Sequence, residues 1–355
     1  MGELHVIYSQ LNRVGVICII LGLTVLLAAC GGSSETGNSS KPAPQPESQV
    51  ATNKSEDEPT DTSESTSATA EKAEAPRTIP HLKGELTLTE TPQNIVVLDV
   101  QYVDQFLALG LLPSGSVVAT TDNSELPKYL GDQLGDIQIV GTREDPNLEA
   151  IIALEPDLII STEFQDKVYE DLLKIAPVLK MERNEDWRSV LQTFGTIVNK
   201  PEVAKKVLSD YDAKIEELKG KLADKLQNET VALIRPRDNI VRLHMTSHRT
   251  SEILYVDLGL NPPPMAVDSE QTSLPISLEV LPELGADHLF LLRDDTNVEL
   301  TEEFQKTSIW KNLKPVQNNQ IYDVNTVLWV GYYGPTAINM IIDQIAETFA
   351  IDLGL

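Results

Sequence analysis

Basic side chains gather in one short stretch of a chain that is otherwise strongly acidic. The 355 residues carry a formal net charge of −26, yet Arg237, Arg242, His248 and Arg249 lie close together in the sequence. Arginine offers a planar fork of donors that suits carboxylate, citrate or hydroxamate oxygens, and it stays charged at any relevant pH. The cluster therefore indicates a site for an oxygen-rich ligand, with some of its members expected to be ordinary surface charges. The overall acidity argues against nucleic acid as a partner, because a phosphate-binding surface needs a basic stripe.

Other kinds of chemistry find little support in the sequence. His244 and His248 have the four-residue spacing of a helical zinc pair, but the segment around His244 is typical of a strand, so the match is weak. The chain has no GxSxG elbow, no P-loop and no GxGxxG fingerprint. No cysteine follows Cys30, which excludes disulfides and thiolate clusters from the rest of the chain. We expect neither an enzyme nor a protein with its own cofactor or metal.

Two glutamates occupy matching positions in a partial internal repeat. Leucine, glutamate, two apolar residues and aspartate recur at identical spacing in Leu148, Glu149, Ile151, Leu154 and Asp157 and in Leu278, Glu279, Leu281, Leu284 and Asp287. Each copy predicts a helix, capped by Asn147 or Ser277, that leads into a buried strand. A glutamate in a first helical turn is also favoured by the helix dipole, by about 0.3–1 kcal/mol. The pattern alone therefore leaves a purely structural role open.

The elements around these residues predict the same architecture twice. Short apolar runs alternate with helical periodicity over residues 79–200 and again over 223–355, which is typical of α/β layers. Residues 201–222 form an amphipathic segment with proline in its first turn, which predicts one helix that spans about 30 Å. We expect two Rossmann-like α/β lobes joined by a single long rigid helix, although the segment considered alone is equally compatible with a surface helix within one domain.

The N-terminal residues are typical of an export signal. Residues 14–29 are apolar, follow Arg13 and end in small residues before Cys30, and the run is shorter than the roughly 20 residues of a spanning helix. Leu27-Ala28-Ala29-Cys30 resembles the bacterial lipobox, which implies a signal peptide over 1–29 and a lipid on Cys30. An anchor helix is the alternative. Residues 30–78 are rich in Ser, Thr, Glu and Pro and predict a disordered tether.

Residues 80–350 resemble the iron-siderophore-binding lipoproteins and periplasmic proteins of ABC importers. The resemblance rests on ordered motifs that include VGTREDPNLEAIIALEPDLIIS, ISLEVLPELGADHLFLL and LWVGYYGPTAINMIIDQI. It implies a monomeric receptor at the extracytoplasmic face of the cell membrane, held there only by its lipid. The receptor would bind a ferric siderophore, with hydroxamate or mixed citrate–hydroxamate complexes favoured, and deliver it to an ABC permease dimer with its ATPase. Relatives on the same scaffold leave ferric catecholate, cobalamin and haem as alternatives.

The resemblance also implies roles for individual residues. Arg143 and Arg235 match positions where relatives carry arginines that contact the ligand, and Arg237, His248 and Arg249 are further candidates. Glu149 and Glu279 match the glutamates that pair with arginines of the permease in this family.

Aromatic residues complete the expected ligand pocket. Trp329 matches an aromatic residue of hydroxamate-binding relatives, and Tyr332 and Tyr333 follow it closely. Where relatives carry an aromatic residue directly after the DLII strand, this chain has Ser161-Thr162-Glu163-Phe164. The sequence therefore leaves that wall of the pocket undefined.

Overall fold

The computed structural model describes residues 74–119, 125–268, 270–331 and 333–354, which belong to one compact unit. The predicted signal peptide, Cys30, most of the predicted tether and Tyr332 lie outside the described residues. Within the described ranges no helix has both the length and the apolar character needed to cross a membrane.

The N-terminal lobe is built on a five-stranded parallel sheet in the order β5-β4-β3-β6-β7. An antiparallel hairpin of β1 (Arg77–His81) and β2 (Gly84–Leu88) precedes it. The sheet strands are β3 (Ile95–Val97), β4 (Gly115–Val118), β5 (Gln138–Thr142), β6 (Leu158–Ser161) and β7 (Val178–Lys180). The helices are α1 (Gln101–Ala108), α2 (Leu148–Ala153), α3 (Tyr169–Leu172) and α4 (Trp187–Ile197). Every residue of β6 is buried, because a parallel sheet has both of its faces covered.

The C-terminal lobe repeats this plan with one strand reversed. Its sheet has the order β10-β9-β8-β11-β12, where β8, β11 and β12 are parallel and β9 is antiparallel to both neighbours. Its strands are β8 (Val231–Arg237), β9 (Ile240–His244), β10 (Ser273–Ile276), β11 (His288–Arg293) and β12 (Ile321–Asn325). Asp238 and Asn239 both have positive φ, which suits the tight turn between β8 and β9.

Five helices complete the C-terminal lobe, and one long helix joins the lobes. The joining helix, α5 (Pro201–Leu226), begins at the predicted residue, continues beyond the predicted end at 222, and is about 39 Å long for its 26 residues. The others are α6 (Arg249–Glu252), α7 (Val298–Lys306), α8 (Ser308–Lys311), α9 (Lys314–Gln317) and α10 (Pro335–Thr348). Ile253–Asp257 extends α6 as a π-helical turn.

The internal repeat has a structural basis that its aspartates reveal. Asp157 accepts hydrogen bonds from the backbone N–H groups of Gln93 at 2.7 Å and Asn94 at 3.0 Å, and Asp287 accepts one from Thr230 at 2.8 Å. Each carboxylate therefore fixes the backbone that enters the central strand of its own sheet, β3 or β8.

The second copy of the repeat differs from the prediction. Asn147 caps α2 as expected, by accepting a hydrogen bond from Ala150 N–H at 3.1 Å. Ser277, however, does not begin an α-helix, since only a 3₁₀ turn forms at Leu281–Leu284. Pro282 explains the difference, because proline lacks an N–H and disfavours the helical conformation in the residue before it.

One of three hydrophobic clusters among the described residues extends through both lobes. One buried cluster contains Phe106 and Phe194 of the N-terminal lobe, Leu218 of α5, and Phe290 and Ile342 of the C-terminal lobe. The lobes are therefore joined by packing as well as by α5.

A buried carboxylate reinforces the junction between the lobes. Asp104 of α1 is fully buried and accepts hydrogen bonds from the N–H groups of Thr336 and Ala337, each at 2.9 Å. These donors belong to the first turn of α10, where a negative charge is favourable. Gly334 allows this approach, because a Cβ there would lie 2.5 Å from Asp104 Oδ2 and closer still to its Cβ and Cγ.

Candidate functional site

The candidate residues collect near the carboxyl ends of the strands, where α/β sheets usually bind ligands. Arg249 at the start of α6 reaches from the C-terminal lobe to the N-terminal one. Its guanidinium donates to Gln101 Oε1 at 3.3 Å and to the Glu185 carbonyl at 3.4 Å. Arg249 therefore makes a direct polar contact between the two lobes.

Arg249 also packs face-on against Tyr333. The Arg249 Cζ lies 3.8 Å from the centroid of the tyrosine ring, a cation–π contact. Burial lowers the pKa of Arg249 from its ordinary value, but arginine remains charged in proteins at neutral pH. The structure thus brings together Arg249 and Tyr333, two of the residues predicted from the sequence.

The wall of the N-terminal lobe combines two arginines with an aromatic ring. Arg143 follows β5, and its Cζ lies 4.3 Å from the ring centroid of Phe164, while the Arg183 Cζ lies 5.9 Å from the same ring. Arg143 is paired with Glu144 at 2.8 Å, and Arg183 is paired with the buried Asp99 at 2.8 Å. Phe164 keeps 38% of its surface exposed. This side of the cleft therefore offers an aromatic face flanked by donors.

Phe164 lies three residues after β6, in the segment where the sequence left the pocket without a defined aromatic residue. Thr162 caps the short turn Glu163–Gln165, and the Gln165 side chain bonds back to the Thr162 N–H at 2.8 Å. Gln165 also donates to the Leu98 carbonyl at 3.1 Å and to the Arg143 carbonyl at 2.6 Å. The T-x-x-Q capping box was the available sequence signal. No comparable signal marked Arg183, whose partner Asp99 is distant in the sequence.

The wall of the C-terminal lobe carries its basic residues on β8 and β9. Arg235 pairs with Asp294 at 2.6 Å, and Arg242 stands opposite Arg235 in the strand register. Within the described part of the chain, the Arg242 side chain has no hydrogen-bond or ion-pair partner. Arg237 is exposed and lies 3.4 Å from Asp238 in an ion pair. Arg235 and Arg242 are therefore the basic pair that the sheet holds in place.

Two histidines lie beside these arginines. His244 at the end of β9 is buried, and His248 caps α6, where its Nδ1 accepts a hydrogen bond from the Thr250 N–H at 3.2 Å. Among the residues that the structure describes, no group of three or more His, Cys, Asp or Glu side chains is arranged to hold a metal ion.

The prediction that Trp329 lines the pocket is wrong. Its side chain is completely buried, its indole N–H donates to Gln344 Oε1 at 2.7 Å, and its ring packs on Phe290 with centroids 4.8 Å apart. Trp329 is a core residue because the turn Val327–Gly331 directs it inward over β11. Tyr333, also predicted, lies at the junction of the lobes, whereas Tyr332 is outside the described residues.

Glu149 and Glu279 lie at equivalent places in the two lobes. Glu149 follows β5 and Glu279 follows β10, which are the edge strands at the same position in the two sheet orders. Because β10 runs in the same direction as β8, both glutamates stand at the carboxyl ends of their sheets, and both are exposed. Hydrogen bonds from its own N–H and from Ser277 lower the pKa of Glu279.

Comparisons with known proteins agree with this architecture. The probable siderophore-binding lipoprotein YfiY of Bacillus subtilis is 32% identical over 301 residues, which cover 81% of this chain and 92% of that protein. The Fe(3+)-citrate-binding protein YfmC of the same organism is 33% identical over 263 residues, 73% of this chain and 81% of that protein. The structure of SirA of Staphylococcus aureus, complexed with staphyloferrin B, matches with a TM-score of 0.69 and 27% identity, over 78% of this chain and 99% of SirA.

A family model for periplasmic binding proteins matches residues 95–327, from the first strand of the N-terminal sheet to the end of the last strand of the C-terminal one. The match includes both sheets, α5 and most of the candidate residues of the cleft. This chain belongs to the periplasmic binding protein family.

Proposed function

We propose that this protein is the extracytoplasmic substrate-binding component of an ABC importer and that its cargo is a ferric siderophore. The observation that carries the proposal is a set of arginines at the carboxyl ends of the two sheets of an acidic protein. Arg143 and Arg183 belong to the N-terminal lobe, Arg235 and Arg242 belong to the C-terminal lobe, and Arg249 makes polar contacts between the lobes. Support also comes from relatives named for siderophores and for ferric citrate. A ferric siderophore already satisfies its metal, so the protein needs donors and aromatic walls instead of metal ligands.

The arrangement of charges favours cargo whose surface consists of carboxylate or hydroxamate oxygens. Arg143, Arg183 and Arg235 each keep a carboxylate partner, which holds the guanidinium in place and moderates its charge. Arg242 has no partner among the described residues, so it can pair with an anionic group of the cargo. The exposed face of Phe164 provides an apolar contact for the organic part of the complex.

The test is a fluorescence-quenching titration of the purified full-length protein. Ferric citrate, a ferric hydroxamate, a ferric catecholate, haem and cobalamin are compared, with each iron-free siderophore as a control. We expect the ferric hydroxamate or the citrate-type complex to bind most tightly. Tight binding of cobalamin or haem alone would overturn the proposal. Arg242→Ala should weaken binding by about tenfold or more, because it removes a charge-assisted contact. Lys205→Ala, which removes an exposed positive charge from α5, is the control and should not weaken binding.

Delivery of the cargo forms the second part of the proposal. We assign Glu149 and Glu279 as docking residues for arginines of a permease dimer, which the equivalent exposed positions of the two glutamates support. Reversing both charges (Glu149→Arg and Glu279→Arg) should abolish uptake and leave cargo affinity unchanged. The matched control reverses Glu170 and Glu302, which are exposed in the same two lobes. If the control blocks uptake equally, or if the docking variant loses affinity, the assignment is wrong.

A further inference from the structure

Two histidine rings form an edge-to-face pair at the inner end of β9. The centroids of His244 and His248 lie 4.3 Å apart, with an angle of 77° between the ring planes. His244 keeps only 4% of its surface exposed, and neither of its ring nitrogens has a hydrogen-bond partner among the described residues. A buried polar group without a partner is costly in free energy and calls for an explanation.

The hydrogen bonding of His248 determines which of its nitrogens carries the proton. Its Nδ1 accepts a hydrogen bond from the Thr250 N–H, so this nitrogen must present a lone pair. In a neutral imidazole the proton then sits on Nε2. The Nε2 atom is not among the buried atoms that lack a partner, and the described residues offer it no hydrogen bond. It is therefore accessible to solvent and available as a donor.

The surroundings keep both rings neutral. Burial lowers the pKa of His248 to about 4, with a further contribution from the adjacent Arg249. Burial also holds the pKa of His244 well below its ordinary value, as do His248, Arg242 and Arg235. Asp294 does not offset these charges freely, because it is paired with Arg235 at 2.6 Å. The charged groups that influence the two rings are therefore arginines, which disfavours binding of a metal cation.

We propose that His248 presents a fixed, neutral Nε2–H donor to an oxygen acceptor of the cargo, and that His244 is the positioning residue that enforces this state. The inference rests on the proposed function for the identity of the acceptor. The ring of His244 packs against His248, excludes water from it and prevents it from rotating. The site therefore selects deprotonated oxygens, and this contact does not change with protonation of His248 between about pH 5 and 8.

The first experiment follows the ring nitrogens of His248 by ¹⁵N NMR in the cargo-free, full-length protein. We expect Nε2 to carry the proton and the ring to remain neutral from pH 8 to about pH 5. His244→Ala opens the packing to water and should move the pKa of His248 toward the ordinary value of about 6.5. His244→Phe preserves the shape of the ring and should leave His248 neutral, and it keeps the test possible if the alanine variant does not fold.

Three results would overturn the inference: a proton on Nδ1 of His248, titration of the wild-type ring near pH 6.5, or an unchanged titration in a folded His244→Ala variant. Loss of the neutral state in His244→Phe would refute packing as the mechanism.

Binding of ferric citrate to two variants of His248 provides the functional measurement. His248→Gln retains an N–H donor and should bind within about threefold of the wild type, whereas His248→Leu should bind about tenfold more weakly. Equal affinity of the leucine variant and the wild type would overturn the donor role. Failure of the proposed function can be told apart from failure of this inference. In the former case the wild type would bind no ferric complex, whereas the NMR measurement of the His248 ring would be unaffected.

Discussion

A single methyl group at Gly334 should destabilise the junction between the lobes. In Gly334→Ala the new Cβ would lie 2.5 Å from Asp104 Oδ2, whereas ordinary contacts begin at about 3.4 Å, so α1 and α10 must separate by about 1 Å. The hydrogen bonds from Thr336 and Ala337 to Asp104, now 2.9 Å each, would then exceed the bonding range. Burial raises the pKa of Asp104, so we apply the value for uncharged hydrogen bonds, about 0.5–1.5 kcal/mol each, and expect a loss of about 1–3 kcal/mol. That is a substantial part of the 5–15 kcal/mol typical of a folded protein.

Urea denaturation of the full-length protein measures this loss as a lower free energy of unfolding. Gly331→Ala is the matched control in the same segment, because a Cβ at Gly331 meets only Val327 Cγ1, at 3.8 Å. In the background of Asp104→Gly, which removes the Cβ, Cγ and carboxylate that the new methyl group would meet, the additional effect of Gly334→Ala should shrink, since the two changes disrupt one contact. A Gly334→Ala protein within 1 kcal/mol of the wild type, or a control that loses as much, would refute this reasoning.

Three further predictions concern other residues. His244→Phe should not lower the melting temperature, because the ring nitrogens of His244 have no hydrogen-bond partner to lose. His288→Phe should lower it, because Glu229 and Tyr322 would lose their hydrogen-bond partner. Equal melting temperatures of the two variants would contradict this prediction. The pKa of His248 is about 6.5 in the unfolded state and about 4 in the folded state. The free energy of unfolding should therefore fall as the pH decreases from about 6.5 to 4. The contribution of His248 is about 3 kcal/mol, and urea midpoints at several pH values should show a smaller fall in His248→Gln. Cys30→Ala should abolish incorporation of a labelled fatty acid and release the protein from membranes, and retention of the label would exclude lipidation at Cys30.

The sequence predicted those parts of the fold that depend on local pattern. Apolar runs such as the one at β6, proline at the start of α5 and asparagine before α2 are local signals, and each matched its element. The failures involve contacts between residues that are far apart in the chain. Pro282 overrode a helical pattern in the second copy of the repeat, and Trp329 satisfies its indole with Gln344, which no spacing rule reveals.

In the candidate site, too, the sequence predicted residues marked by a local pattern and missed those whose role depends on distant residues. Arg249 was predicted from its basic neighbours, and the structure shows that it also contacts Gln101 and Glu185 across the cleft. Arg183 was missed because its importance depends on Asp99 and Phe164, which come from other loops. Sequence pattern identified residue types suited to the ligand, but it did not show which side chains are already paired, as Arg143 is, and which are available, as Arg242 is.

The hydrophobic cluster that the two lobes share has a consequence for how cargo leaves. Parting the lobes would expose the aromatic and aliphatic side chains that the core shares between them, which carries a cost of about 25 cal/mol for each Å² exposed. Thermal motion will therefore seldom open the receptor wide, and binding requires little closure and little ordering of the protein. If delivery follows the proposed docking, unloading would require a partner that binds the rims of both lobes of a nearly rigid protein. That membrane complex, more than any spontaneous movement of the receptor, would then govern the residence time of the cargo.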